Sequence, residues 1–431
     1  MKKRLFISLL IMCFLLAVLA FTGCFGKIDR GNYDVDLRVE DPSMLQGAIR
    51  VALPSSGNKR DVFDEAIARY KISRPGITVN IDWKPLDDFF SSYQTDVATG
   101  LVFPDAAYIG HVYAQSLAEH EMIAVLNSVY DHEPYIAGLS ETSKLGDNYF
   151  GFPFTANSTA LFYNKDIIGN VPPATYEEFK AICTRVKTEQ AAAGTNYNPF
   201  TLWLGANARE YGSMTLNSWV ARHNGSFLSP DLKTSRINSE PVKKALAQWK
   251  EIHDNGWVNR ETHEEGLFYL GQVGMMEIGS WSFAQMSRES VNYGVAPLFP
   301  LYEGGPVYSS VGVGDIVVTT QADINKMIMA ADFAKFISTD KTLQLNFAKE
   351  TQVLPVTKEA IEDEYFNTPE WQVFVDMLEK HVARPGSPEW PYISNEVGNM
   401  FSNILTRGQA IDTAVSNCDR LIQNRLDDLY L

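Results

Sequence analysis

The sequence predicts an α/β protein with two domains. Residues 47–108 alternate strand-like and helix-like patterns in the order β-α-β-α-β, an order that builds a mostly parallel sheet with helices on both faces. The chain has 431 residues, and loss of a leader over residues 1–23 would leave 408, more than one typical domain and suited to two. A third sign is a strand-loop-helix unit over residues 151–179, where Gly151 and Pro153 open a turn. Ala160-Leu-Phe-Tyr163 then reads as a buried strand, and Pro172-Pro173 delays a helix. Thr175 with Glu178 three residues on forms a capping box at that helix's start.

The leader has a basic start, Lys2-Lys-Arg4, and an almost wholly apolar run, Leu5–Leu19. Small residues follow before Cys24. This is the anatomy of a secretory signal with a lipobox-like end, and the run is short for a membrane span of about 20 residues. Residues 1–23 are therefore expected to be removed and Cys24 to carry a lipid. The leader takes three positive charges with it, so the net charge goes from −15 to −18. So acidic a chain argues against nucleic-acid binding. With Cys13 lost and Cys24 lipidated, Cys183 and Cys418 remain, and spacing does not show whether they pair. Residues 24–46, acidic and without hydrophobic period, read as a flexible spacer between anchor and body.

Gly47 begins the body. Ile49–Pro54 reads as a strand, Asp61–Lys71 as a helix with Val62, Phe63, Ala66, Ile67 and Tyr70 on one face, and Ile77–Trp83 as an alternating strand. Leu86–Thr99 is again helical and Pro104–Tyr108 a third strand. Ligands of such sheets bind beyond the carboxyl ends of the strands. That selects the loops Ser55–Asn58, Trp83–Asp87 and Tyr108–His111, with Ser56, Asn58, Tyr108 and His111 as candidate contacts. Tyr108 reads equally well as a rim aromatic without a ligand.

Further on, Pro199–Trp203 reads as a strand, followed by a loop and a helix that begins near Glu210-Tyr211. Acidic residues are favoured at helix starts in any case. Ser239–His253 is the clearest helix: Ser239 is placed to cap it, Asn255-Gly256 stops it, and Trp249 lies on its apolar face. Asn292–Pro297 and Ile316–Thr319 read as strands. Helical patterns cover Met327–Thr339, Leu343–Lys349 and Pro369–His381, then a segment entered at Trp390–Glu396 and ending near Arg407-Gly408, and finally Gln409–Leu429.

The wording of residues 151–179, Gly-Phe-Pro-Phe-x-x-Asn-x-x-x-Leu-Phe-Tyr-Asn-Lys-Asp followed by Pro-Pro-x-Thr-Tyr-Glu-Glu-Phe, resembles the extracellular solute-binding proteins of ABC importers (family 1), in the branch that includes maltose-binding protein. Leu270–Phe283 resembles a second signature of that family, with a glycine at Gly279 and a tryptophan at Trp281. "A-A-D-F-A-K-F-I-S-T" at residues 330–339 resembles a third. The resemblance runs in order from Gly47 to the end. It implies a two-lobe periplasmic-binding fold with a hinge and an interlobe ligand cleft, with crossings near Thr155–Asn157, Val295–Pro297 and Leu354–Thr357. The first lobe would be 47–156 plus 298–355, the second 157–297 plus 356–431.

The same resemblance places Phe154 and Asn157 near the hinge and Trp281 on the ligand. It puts Glu210 and Tyr211 at a sugar-presenting loop, Gly312 in a glycine-rich turn against the ligand, and Trp390 near a C-terminal aromatic contact. Asp315 departs from the family's small or apolar residue and is a candidate acceptor for ligand hydroxyls or a partner for a cation. The implied ligand is a carbohydrate, in particular an oligosaccharide; the implied partners are that ligand and the importer's permease. The implied place is the outer face of a membrane, held by lipidated Cys24, as a monomer.

No Gly-x-Ser-x-Gly, His-Glu-x-x-His or Walker pattern occurs, and no metal or cofactor site is read. Two alternatives stand beside the carbohydrate receptor. One is a receptor for a polar non-sugar solute such as a polyamine, attracted by Asp315 and Glu210. The other is a secreted glycoside-processing enzyme, which needs two carboxylates across a cleft, with Glu210 and Asp315 as the pair.

Overall fold

The structure, a computed structural model, describes residues 33–54, 59–84, 93, 104–193, 195, 197–204, 209–258 and 265–430. Ser56, Asn58, Cys24, the leader and all of the helix expected over Leu86–Thr99 except Tyr93 lie outside these residues. Among the described residues, nine strands of four residues or more make two sheets. They are β1 (Gln46–Pro54), β2 (Gly76–Lys84), β3 (Ala106–Gly110), β4 (Phe152–Asn157), β5 (Thr159–Asn164), β6 (Asn198–Thr201), β7 (Val273–Gly279), β8 (Tyr293–Ala296) and β9 (Gly312–Val318). The first sheet has the order β2-β1-β3-β9-β4 and the second β8-β5-β7-β6.

Register decides how the sheets face each other. β1, β2 and β3 are parallel, β9 runs antiparallel to β3, and β4 antiparallel to β9. The carboxyl ends of β1, β3 and β4 therefore share one edge of the first sheet. In the second sheet β5 is antiparallel to β7 and β8, and β6 is parallel to β7. β4 ends at Asn157 and β5 begins at Thr159, so a single residue links the carboxyl edge of one sheet to the carboxyl edge of the other. The chain comes back after Ala296, at the end of β8, to Gly312, the start of β9, between the same two edges.

Each sheet has its own core. In the first, Phe63, Phe154 and Phe347 are buried and in mutual ring contact, with centroids 4.8–5.9 Å apart. In the second, Trp219, Trp249 and Phe401 pack edge to face. Full burial of one such side chain stabilises the fold by about 1.5–3 kcal/mol. Trp249 is core, as its helix face requires, and Cys183 and Cys418 are separate buried thiols.

β7 carries one charge into the second core. The Glu277 carboxylate accepts from the Arg222 guanidinium at 2.6 Å, from Trp219 Nε1 at 3.1 Å and from Ser218 Oγ at 3.2 Å.

Local chemistry explains several boundaries. The Thr175 hydroxyl accepts from the Glu178 amide at 3.2 Å, while the Glu178 carboxylate takes the Ala174 amide at 2.7 Å, a capping box shifted by one residue on its return arm. Ser239 precedes its helix in extended backbone but makes no side-chain cap, so the expected cap is absent there. The spacer expectation fails for its second half. Leu37 is fully buried, its amide donates to Ser128 Oγ at 3.0 Å, and the Val125 amide donates to the Tyr33 carbonyl. Scattered apolar residues without a period dock as an extended strap, a case that periodicity does not detect. Among the described residues no helix is long and apolar enough to cross a membrane.

Candidate functional site

Two tryptophans stand at equivalent places on the second sheet. β6 ends at Thr201 and Trp203 lies two residues on; β7 ends at Gly279 and Trp281 lies two residues on. Both are thus beyond the carboxyl edge that faces the first sheet. The helix Arg209–Arg222 brings Tyr211 between them. Tyr211 stacks on Trp203 with centroids 4.7 Å apart and planes 21° apart, and meets Trp281 at 6.5 Å and 49°. Trp203 is 9% exposed, Trp281 half-buried, and Tyr211 42% exposed. The cluster is therefore walled on the protein side and open at Tyr211.

Glycine makes room for it. An added Cβ at Gly279 would sit 1.8 Å from Trp281 Cζ3, so the indole lies directly on that backbone. The first sheet repeats the device: a Cβ at Gly314 would sit 2.1 Å from the Tyr108 hydroxyl. Tyr108, near the end of β3, thus lies over β9, with its hydroxyl 3.1 Å from Thr155 Oγ1. Burial raises the Tyr108 pKa, and Asp315 and Tyr211 add to the shift.

A polar girdle sits beside these rings. Glu210 accepts from Arg384 Nη1 at 2.5 Å, from Trp390 Nε1 at 3.1 Å and from Ser394 Oγ. Arg384 follows the short strand His381–Val382, which pairs with Ser309–Ser310. Its Nη2 lies 3.6 Å from the position of a Cβ on Gly312. From the first sheet the helix His111–Glu119 reaches across: Val112 packs in the same core as Trp390, and Tyr113 packs against it. The Tyr113 pKa is pushed up to about 12, by burial first and then by Glu210.

The residues read from the sequence divide accordingly. Tyr211 and Trp281 come together in the aromatic cluster, while Tyr108 lies on Gly314 of the first sheet and Gly312 lies beside Arg384. Asn157 ends β4 opposite Gly312, half-buried, its Oδ1 without a partner among the described residues. His111 is buried rather than presented: its Nδ1 lies 3.1 Å from the Val313 backbone. Burial, then the Arg384 charge, holds its pKa well below the usual value.

Four residues take other places than expected. Phe154 is buried in the first core on Phe63 and Phe347, the core against which Tyr108 also packs. Trp390 is fully buried on Phe227, because it begins the apolar stripe of its helix. Glu210 spends its carboxylate on three partners within the protein. Asp315 is fully buried on the far face of β9. There Ser143 Oγ donates to its Oδ1 at 2.6 Å, and a Cβ on Gly151 would touch its own Cβ. Tyr108 covers Gly314, and strand alternation puts the next residue, Asp315, on the opposite face. Burial pushes its pKa up to about 7, against the lowering effect of Ser143.

Trp203, Tyr113 and Arg384 escaped the sequence reading. Trp203 was within reach of it, since the carboxyl-end rule applies to the strand that precedes it.

The model of the bacterial extracellular solute-binding proteins matches residues 65–373. The chain is 22% identical over 363 residues to the maltotriose-binding protein of Pyrococcus abyssi, covering 81% of this chain and 75% of that protein. It is 25% identical over 416 residues to a Brucella abortus protein named only as a binding protein, covering 88% and 98%.

Among solved structures, the cyclic alpha-maltosyl-1,6-maltose binding protein of Arthrobacter globiformis superposes with a TM-score of 0.78. That match has 20% identity and covers 89% of this chain and all of that one. A Mycobacterium tuberculosis structure in complex with glycerophosphocholine superposes with a TM-score of 0.77 at 17% identity, covering 90% and 100%. The fold shared with these structures is the two-lobe α/β fold of periplasmic sugar-binding proteins.

Proposed function

The chain belongs to the bacterial extracellular solute-binding protein family, and from that premise we propose that it is the receptor of an ABC importer that captures a carbohydrate, in particular an oligosaccharide, between its two lobes. The observation that carries this reading is the cluster Trp203–Tyr211–Trp281. Aromatic faces pack against the C–H faces of pyranose rings, and tyrosine hydroxyls pair with sugar hydroxyls. Phe154, Trp390, Asp315 and Glu210 are not part of the proposed contact set; Trp203 joins it, with Asn157 and Gly312 at the hinge side. The fold and relatives of known ligand are those of binding proteins. The two carboxylates that a hydrolytic reading or a polyamine reading needs are otherwise engaged, Glu210 by Arg384 and Asp315 by burial.

Closure is the proposed mechanism. The lobes are taken as 47–156 with 298–355 and 157–297 with 356–431, hinged at Thr155–Asn157, Val295–Pro297 and Leu354–Thr357. The single residue Ser158 between β4 and β5 and the backbone pairing of Ala156 with Leu354 at 2.9–3.0 Å support strands close together at the pivot. A sugar that touches Tyr108 on one lobe and Trp281 on the other binds the closed form better, and so shifts the population toward it. Lipidated Cys24 then keeps the receptor, as a monomer, beside the permease that takes the sugar.

A thermal-shift screen tests the ligand class. A ligand at about 100 times its Kd adds about 2.7 kcal/mol of stability. Maltodextrins are expected to raise the melting temperature, and sn-glycerol 3-phosphate to leave it unchanged. A shift with sn-glycerol 3-phosphate and none with any sugar, or no shift with either, would overturn this reading.

A further inference from the structure

An open pocket of about 610 Å³ shares no lining residue with the aromatic cluster, although its Phe283 and Trp371 pack in the same core as Trp203 and Trp281. It opens between the end of the helix Lys341–Thr351, the edge strand β8, and the start of the helix Pro369–Glu379. Its floor is aromatic: Phe283 and Trp371, with centroids 4.9 Å apart, and beside them Tyr293 and Tyr365. Its rim is acidic. Lys349 supplies the cation, but it already pairs with Asp363 at 3.4 Å and lies 5.2 Å over the Tyr365 ring. Asp363 in turn accepts the Tyr365 amide at 3.1 Å.

Glu364 and Glu370 remain. Neither makes an ion pair among the described residues; burial first, and then the Glu370 charge, raises the pKa of the Tyr293 phenol. Acids in a helix's first turn are ordinary. That accounts for two carboxylates but not for their placement on the lip of an aromatic-floored cavity large enough for a small molecule.

We propose that this cavity is a second binding site, for a small organic cation with an apolar body, such as a quaternary ammonium. The apolar body would rest on the rings, and the charge would lie against ring faces and the carboxylates of Glu364 and Glu370. The site is independent of the interlobe reading and stands or falls alone.

Titration of the full chain with benzyltrimethylammonium, followed by saturation-transfer NMR and calorimetry, tests it, with benzyl alcohol as the uncharged counterpart. The cation is expected to bind at least tenfold more tightly than the alcohol. The double variant Glu364→Gln with Glu370→Gln should lose at least tenfold in affinity while keeping the wild-type melting curve. Ser287→Trp, which fills the mouth from an exposed position, should abolish binding. Absence of binding to the wild type, equal binding of cation and alcohol, or binding that survives either variant overturns the proposal.

Discussion

Tyr211 lies stacked on Trp203 at 4.7 Å while remaining 42% exposed. One ring thus anchors the other, and the outer ring still offers area to a ligand. The two residues should separate on substitution. Tyr211→Ala is expected to weaken carbohydrate binding by about 1–2 kcal/mol with little effect on folding. Trp203→Ala removes a buried ring and should in addition cost about 3 kcal/mol of stability. Urea melts and calorimetric titrations of the two variants check this division; equal loss of stability in both would contradict it.

Gly279→Ala tests the seat of Trp281. The new methyl would occupy the space of the indole, so the ring or the strand end must move. Ligand affinity should fall at least tenfold while far-UV circular dichroism stays that of the wild type. Unchanged affinity would mean that the indole's position on Gly279 is irrelevant to binding.

Asp315 predicts a pH dependence with a definite sign. Its folded pKa is pushed up to about 7, above the ordinary value near 3.9. Between about pH 4 and 7 the folded state holds the proton more firmly than the unfolded state. The stabilisation is therefore complete at the acidic end of this window and is lost as pH rises through 7. Asp315→Asn, which keeps an acceptor for Ser143, removes that loss. The variant's melting temperature should exceed the wild type's at pH 8, and the gap should narrow toward pH 5. A gap that is constant with pH would show that the carboxyl does not titrate there.

Glu277 and Arg222 are a buried pair at 2.6 Å. Glu277→Ala leaves the Arg222 guanidinium buried and uncompensated, and is expected to cost about 3–5 kcal/mol in a urea melt. A cost below about 1 kcal/mol would mean that the pair is accessible to water.

Much of this architecture was legible in local pattern. The early β-α-β order shows because its strands alternate and its helices carry one apolar face. Trp390 was legible too, and misread: residues 390, 393, 397, 400, 401 and 404 follow helical period and are all buried. That spacing already argued for core. Other features depend on contacts far apart in sequence. β9 lies between β3 and β4 only after the chain returns from the second sheet, and the contacts that bury Asp315, with Gly151 and Ser143, exist only in that arrangement. The strap over residues 33–45 has no period of its own, because it borrows its order from the surface it covers.

The central claim is that a carbohydrate binds between the lobes on Trp281. Calorimetric titration of a maltodextrin series into the wild type and Trp281→Ala tests it most directly. The account predicts binding to the wild type, a loss of about 2 kcal/mol or more in the variant, and matching melting curves without ligand. Equal affinity in the two proteins, or no affinity of the wild type for any member of the series, would contradict it.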